Sequence, residues 1–322
     1  MKKALFLTLS SVVVSSAWAL NWSGNVSYSA NETISENIVI DGDVTVTVAQ
    51  GITLELNGVI SGTGSLTYVL EGEKSYVYVN GTQNTYDGPT TVSMATDKAE
   101  FYFASIANFG TACSFGCPST LEQSQVSFPG VAGKVHYIGT TNAETDRPID
   151  SRNCWFYIDK NNVTWTVNGP WSGTTCFFRT NASGSKFIVN SFLPESVTSI
   201  ARTNGSEFYL MCKTNAAAAT SINLAAGPLV VNCLKDAGVP CSLGVGAADK
   251  YINFSQTSSG VGELRYIGDE DVQCNRRLQI TTASAAANYD SPWHGCKLNN
   301  ASADAFVRFS GAVKLSSSKY YP

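Results

Sequence analysis

The sequence predicts an all-β chain wound as a solenoid of stacked coils, a parallel β-helix. Three observations lead there: short apolar–polar alternations set between turn residues, landmarks that recur in the same order, and cysteines at a near-constant interval. Val44, Val46 and Val48 alternate with polar residues, and Ile52, Leu54 and Leu56 do so again. Turn residues interrupt at Asp41-Gly42, Gln50-Gly51, Asn57-Gly58 and Gly62-Thr63-Gly64. A side-chain period of two marks half-buried strands of three to six residues. Asn-Gly and Asp-Gly pairs favour hairpins, which keeps a β-sandwich open as the alternative fold.

The repeats favour the solenoid. Gly110-Thr111-Ala112-Cys113-Ser114-Phe115-Gly116 recurs as Gly238-Val239-Pro240-Cys241-Ser242-Leu243-Gly244. Gly133-Lys134-Val135-His136-Tyr137-Ile138-Gly139 recurs as Gly262-Glu263-Leu264-Arg265-Tyr266-Ile267-Gly268. An arginine follows ten residues past each tyrosine, Arg147 and Arg276, and Gly88-Pro89 upstream pairs with Gly227-Pro228. Self-similarity of this kind is the signature of stacked supersecondary units. It divides residues 20–322 into two long units, about 20–173 and 174–322, the second incomplete.

Cysteine spacing offers an independent check. Cys154 and Cys176 are 22 residues apart, Cys274 and Cys296 also 22, and Cys212 and Cys233 21. Residues one coil apart lie about 4.8 Å from each other, within the Cα window of a disulfide. Three coil-to-coil disulfides, Cys154–Cys176, Cys212–Cys233 and Cys274–Cys296, are one expectation; buried, unpaired thiols stacked in the core are the other. With about 22 residues per coil, the rod would be on the order of 60 Å long.

Composition narrows function. Of 322 residues, 43% are hydrophobic and only 14% charged, with a net charge of −4. A nucleic-acid binder would need a basic stripe, so that partner is not expected. Residues 1–19 read as a signal peptide: Lys2 and Lys3, a short apolar run, then Ala17-Trp18-Ala19 as the cleavage site. Export to a secreted or cell-surface location follows.

Several of these stretches resemble the autotransporter-associated β-strand repeat proteins. They are Gly58-Val59-Ile60-Ser61-Gly62-Thr63-Gly64-Ser65-Leu66, Asn84-Thr85-Tyr86-Asp87-Gly88-Pro89-Thr90-Thr91-Val92, both Cys-Ser-Phe/Leu-Gly turns, both Tyr-Ile-Gly strands and Phe309-Ser310-Gly311-Ala312-Val313. The resemblance spans nearly all of the mature chain. It implies a right-handed parallel β-helix acting as a surface-displayed passenger, a stalk or adhesin, with an outer-membrane barrel encoded downstream. Its motifs mark a scaffold and bring no catalytic residue.

β-Helices also host polysaccharide lyases and hydrolases, the alternative function. Such sites need paired carboxylates, or bound calcium with a basic residue. The densest acidic run, Asp269-Glu270-Asp271, reads as a solvated turn, since Thr140-Thr141-Asn142 replaces it in the first unit. Asp146-Arg147 and Asp150-Ser151-Arg152 read as surface ion pairs at a strand end. His136 is expected to point outward and be exposed, and His294 to lie in a turn. No catalytic, cofactor-binding or metal residue is expected, and the chain is not expected to be an enzyme. Trp155, Phe156, Tyr157, Trp165, Trp171, Phe177 and Phe178 are expected mainly inside the coil, with an aromatic face for a glycan or host-surface ligand as the other reading.

Overall fold

The computed structural model describes residues 19–130, 133–180, 182–257, 260–282, 296–303 and 305–317. The proposed leader, residues 1–19, falls outside them apart from its last position, and so does His294. Among the described residues there is no helix, and the strands stack in parallel as a β-solenoid.

Three faces run along the rod. The first stacks Leu20–Tyr28, Ile38–Val48, Leu66–Leu70, Thr90–Met94, Val126–Phe128, Ile149–Ser151 and Trp171–Gly173. The second stacks twelve strands from Glu32–Ile34 to Val313–Ser317. The third runs from Ala143–Thr145 to Lys297–Asn300. One antiparallel contact, Gln256↔Val261, links the second and third faces.

Alternation sets which side chains enter the core. Val44, Val46 and Val48 point inward and are buried, as are Leu54 and Leu56, while intervening residues stay half exposed. The Asn-Gly and Asp-Gly pairs make no hairpins. Each strand instead finds its hydrogen-bond partners in the coils above and below, so these dipeptides serve as bends and corners. A Cβ on Gly64 (φ +104°) would fall 2.3 Å from the Gly42 backbone, so only glycine fits where those corners stack. Asparagines tie corners together: Asn31 Oδ1 accepts from Thr53 N, and Asn142 Oδ1 from Thr164 N, each at 2.9 Å and 22 residues apart.

The duplication is visible in three dimensions, and the second copy is rotated. Tyr76–Val79, Glu100–Phe103 and Gly133–Tyr137 follow one another on the second face. Their counterparts Glu207–Leu210, Gly227–Val231 and Gly260–Tyr266 follow one another on the third. The copies are thus offset by five coils plus one face. Shared bonds fix the alignment: Asn84 Nδ2 donates to Ser114 O as Asn215 Nδ2 does to Ser242 O. Six residues beyond each asparagine lie Thr90 and Ser221, so Gly88-Pro89 corresponds to Ala219-Thr220 and not to Gly227-Pro228.

The disulfide expectation needs correction. All nine cysteines are free. Trp155↔Phe177 places Cys154 opposite Cys176, but the Cys154 thiol turns toward Phe128 O of the preceding coil, at 3.9 Å. Leu210↔Val231 likewise sets Cys212 opposite Cys233, also unbonded. Cys274 and Cys296 are not stacked at all. Cys274 pairs with Phe309, whereas Cys296 immediately precedes a third-face strand aligned with Glu263. Coils there are 34–35 residues long, as Glu263↔Lys297 and Val272↔Val307 show, so a 22-residue spacing no longer means one turn.

Arg147 also differs from expectation. It is fully buried, with Nε donating to Ala107 O (2.8 Å), Nη1 to Phe115 O (2.8 Å), and Nη2 to Gly116 O (2.9 Å) and Thr111 O (3.1 Å). A guanidinium offers five N–H donors in a planar fork, and the loop carbonyls converge on it. Arg276 does the same for the second loop, reaching Lys235 O at 2.9 Å and Gly244 O at 2.6 Å.

Candidate functional site

Five consecutive coils of the second face carry an outward strip of rings and charges. Parallel register stacks Tyr76, Glu100, Lys134, Trp155 and Phe177 in one column. Beside it run Tyr78, Tyr102, His136 and Tyr157, with Arg179 next in the same register. In a strand, alternate side chains share a face, and in a parallel stack equivalent positions sit one above another.

Ring geometry is specific. Tyr78 and Tyr102 stack at 4.2 Å and 7°, Tyr102 and His136 at 4.5 Å and 26°, His136 and Tyr157 at 4.4 Å and 14°. Trp155 and Phe177 lie 4.8 Å apart, tilted by 33°. The ring planes therefore face one another along the rod, and the strip presents ring edges and hydroxyls outward. Each such pair contributes about 0.5–1.5 kcal/mol beyond its area burial.

Charges are interleaved with the rings. Lys134 Nζ bonds Glu100 Oε1 at 2.5 Å, and the Tyr102 hydroxyl donates to Glu100 Oε2. His136 Nδ1 lies 3.0 Å from each Asp159 oxygen, and its Nε2 is 3.7 Å from Glu100 with no hydrogen-bond partner. His136 does point outward, but only 8% of it is exposed, because Tyr102 and Tyr157 sandwich the ring. Burial raises the Glu100 carboxyl, yet hydrogen bonds from Lys134 and Tyr102 outweigh it and hold the group below its ordinary value of 4.5. Burial and the bond to Glu100 push the Tyr102 phenol well up.

A depressed carboxylate contributes stability above its unfolded pKa and loses it as pH falls through the folded value. Glu207 and Glu263, held by Arg265 on the third face, are depressed in the same way. Stability should therefore fall as pH drops below 4.5, and Glu100→Gln should flatten that fall. Urea midpoints measured from about pH 7 to pH 3 decide it: an unchanged slope in the variant would show that Glu100 carries no proton linkage.

The expected aromatic cluster divides by strand parity. Phe156, Trp165, Trp171 and Phe178 fill the core, whereas Trp155, Tyr157 and Phe177 are half exposed on the strip. Tyr76, Tyr78, Glu100, Tyr102 and Asp159 were not singled out from sequence. Their only signal was parity within strands of adjacent coils. The acidic turn is solvated as expected, Lys213 pairing with Asp269 at 3.3 Å and Lys235 with Glu270 at 3.0 Å. Asp150 pairs with Arg152 at 3.5 Å.

Among the described residues, no group of three or more His, Cys, Asp or Glu side chains is placed to hold a metal ion, and no helix is long and apolar enough to cross a membrane. The chain matches no family model, no curated protein and no solved structure.

Proposed function

We propose that the protein is an exported, surface-displayed rod of autotransporter-passenger type, acting as a stalk that adheres laterally to a glycan. The observation that carries this reading is the strip along one face of half-exposed Tyr78, Tyr102, Tyr157, Trp155 and Lys134, flanked by exposed Asp159 and Arg179. A flat strip of phenolic edges and charges matches a chain of sugar hydroxyls, and Trp155 adds apolar contact area. Export rests on the leader-like residues 1–19.

Binding is favoured over hydrolysis by the state of the carboxyl groups. A general acid must stay protonated near neutral pH, which takes a raised pKa. Glu100 is instead pushed down by Lys134 and Tyr102, and Asp159 is engaged by His136. Glu100 is thus held charged, and both carboxylates hold their neighbours in place.

The test is binding of the mature protein to an immobilised glycan panel, with a Trp155→Ala/Tyr157→Ala variant alongside. Binding should weaken at least about tenfold in the variant, equivalent to ~1.4 kcal/mol, with the circular dichroism spectrum retained. Equal binding by both proteins would remove the strip as the ligand face. No binding on any glycan, together with release of soluble sugar, would favour the enzymatic alternative.

A further inference from the structure

We propose that Cys241 and Cys274 are a redox pair that closes a disulfide between the second duplicated loop and the coil that follows it. The duplication singles out Cys274, whose counterpart is a threonine, beside Cys241, a cysteine in both copies. Around Arg147 the first copy places Ser105, Cys113 and Thr145; around Arg276 the second places Cys233, Cys241 and Cys274. Equivalent bonds fix each correspondence. Thr145 Oγ1 donates to Ala107 O at 3.0 Å, as Cys274 Sγ does to Lys235 O at 3.3 Å. Cys113 Sγ donates to Gly116 O at 3.6 Å, as Cys241 Sγ does to Gly244 O at 3.4 Å. Ser105 N donates to Ser114 Oγ at 3.0 Å, as Cys233 N does to Ser242 Oγ at 3.1 Å. Two hydroxyl positions of one copy have thus become thiols in the other.

One guanidinium ties the two thiols together, directly at Cys241 and through a shared carbonyl at Cys274. Arg276 Nη2 lies 3.4 Å from Cys241 Sγ, and Arg276 Nε donates at 2.9 Å to Lys235 O, the carbonyl that also accepts from Cys274. The thiolate is the attacking form in disulfide exchange. Burial raises the Cys274 thiol above its ordinary value, and the N–H and charge of Arg276 offset only part of that rise. The same register that removes Cys296 as a partner for Cys274 leaves Cys274 beside this loop.

The chemistry is a two-step exchange with a disulfide donor such as oxidised glutathione. One thiolate, its proton lost to solvent, attacks a donor sulfur and releases one donor thiolate. The other thiolate then displaces the second, forming the Sγ–Sγ bond. Two electrons pass to the donor, which leaves as two thiols. In the cell this oxidant presupposes the exported location proposed above; in the test it is supplied.

The experiment is refolding in oxidised glutathione, alkylation, and non-reducing peptide mapping of the wild type and Cys274→Thr. Threonine is what the first copy carries at this place, so the variant keeps a donor to Lys235 O and should fold. The wild type should yield the Cys241–Cys274 peptide and melt several degrees higher oxidised than reduced; the variant should yield neither. Recovery of both thiols alkylated, or of Cys241 joined to Cys233, would overturn the proposal. Neither result would touch the glycan-binding reading, which has its own assay.

Discussion

Arg147→Met should destabilise the rod by about 3 kcal/mol, because it strips donors from loop carbonyls, those of Phe115 and Gly116 buried. The guanidinium bonds four carbonyl oxygens, and those of Phe115 and Gly116 belong to fully or nearly fully buried loop residues. Each buried acceptor left orphaned costs ~1–3 kcal/mol, partly offset by no longer burying a charge. Methionine fills most of the volume but donates nothing. Lysine would restore the charge without the fork, so Arg147→Lys should recover only a minor part of the loss. Loss of the clamp should also free the loop from Ala107 to Gly116, making it a new cleavage site in limited proteolysis. Urea unfolding and proteolysis of the two variants check this together. A loss under about 1 kcal/mol with an intact loop would mean that the carbonyls find other donors.

The same substitution at Arg202 should have the opposite sign. Arg202 is fully buried on the inward side of Ser199–Thr203, with its guanidinium 5.4 Å from the Phe178 ring centroid. Only Nη1 is bonded, to Thr203 O; Nε and Nη2 have no partner among the described residues. Burial drives this guanidinium down from its ordinary range, with only partial support from Glu207. Replacing a poorly compensated buried charge by an apolar side chain of similar volume commonly stabilises by ~1–4 kcal/mol. Arg202→Met should therefore raise the unfolding midpoint, and a clear drop would show that the buried charge is compensated after all. Arg147 and Arg202 are equally buried, and their hydrogen-bond partners decide the sign.

Stacking explains why these effects should stay local. Each coil contacts mainly its two neighbours, so the rod behaves as a chain of nearest-neighbour interfaces. A lost clamp at Arg147 loosens the coils beside the first loop, while the coils around Arg276 keep their own clamp. Comparing Arg147→Met with Arg276→Met would map that locality along the rod.

The architecture was legible in the chain because it follows from short-range rules. Alternation at Val44, Val46 and Val48 dictates an inward side, and corner glycines such as Gly64 dictate where coils bend. The repeated Cys-Ser-Phe/Leu-Gly turns and their arginines announced a duplicated module. Side-chain destinations were harder to read wherever coil length changes. Tyr102 and His136 are 34 residues apart and His136 and Tyr157 only 21, yet all three rings stack in one column. The extra residues are taken up by the loop that Arg147 clamps.

Read from its residues alone, the chain is an all-β, coil-forming one, because period-two burial and corner glycines act within one coil. Which coils become neighbours is set when the whole chain winds. That winding separated Cys274 from Cys296 despite their 22-residue spacing, turned the second unit onto the next face, and gathered Glu100, His136 and Asp159 into one strip. It also buried Arg147 among carbonyls that only the folded loop brings together. Register between coils accumulates every insertion along the chain, and no local pattern records that sum.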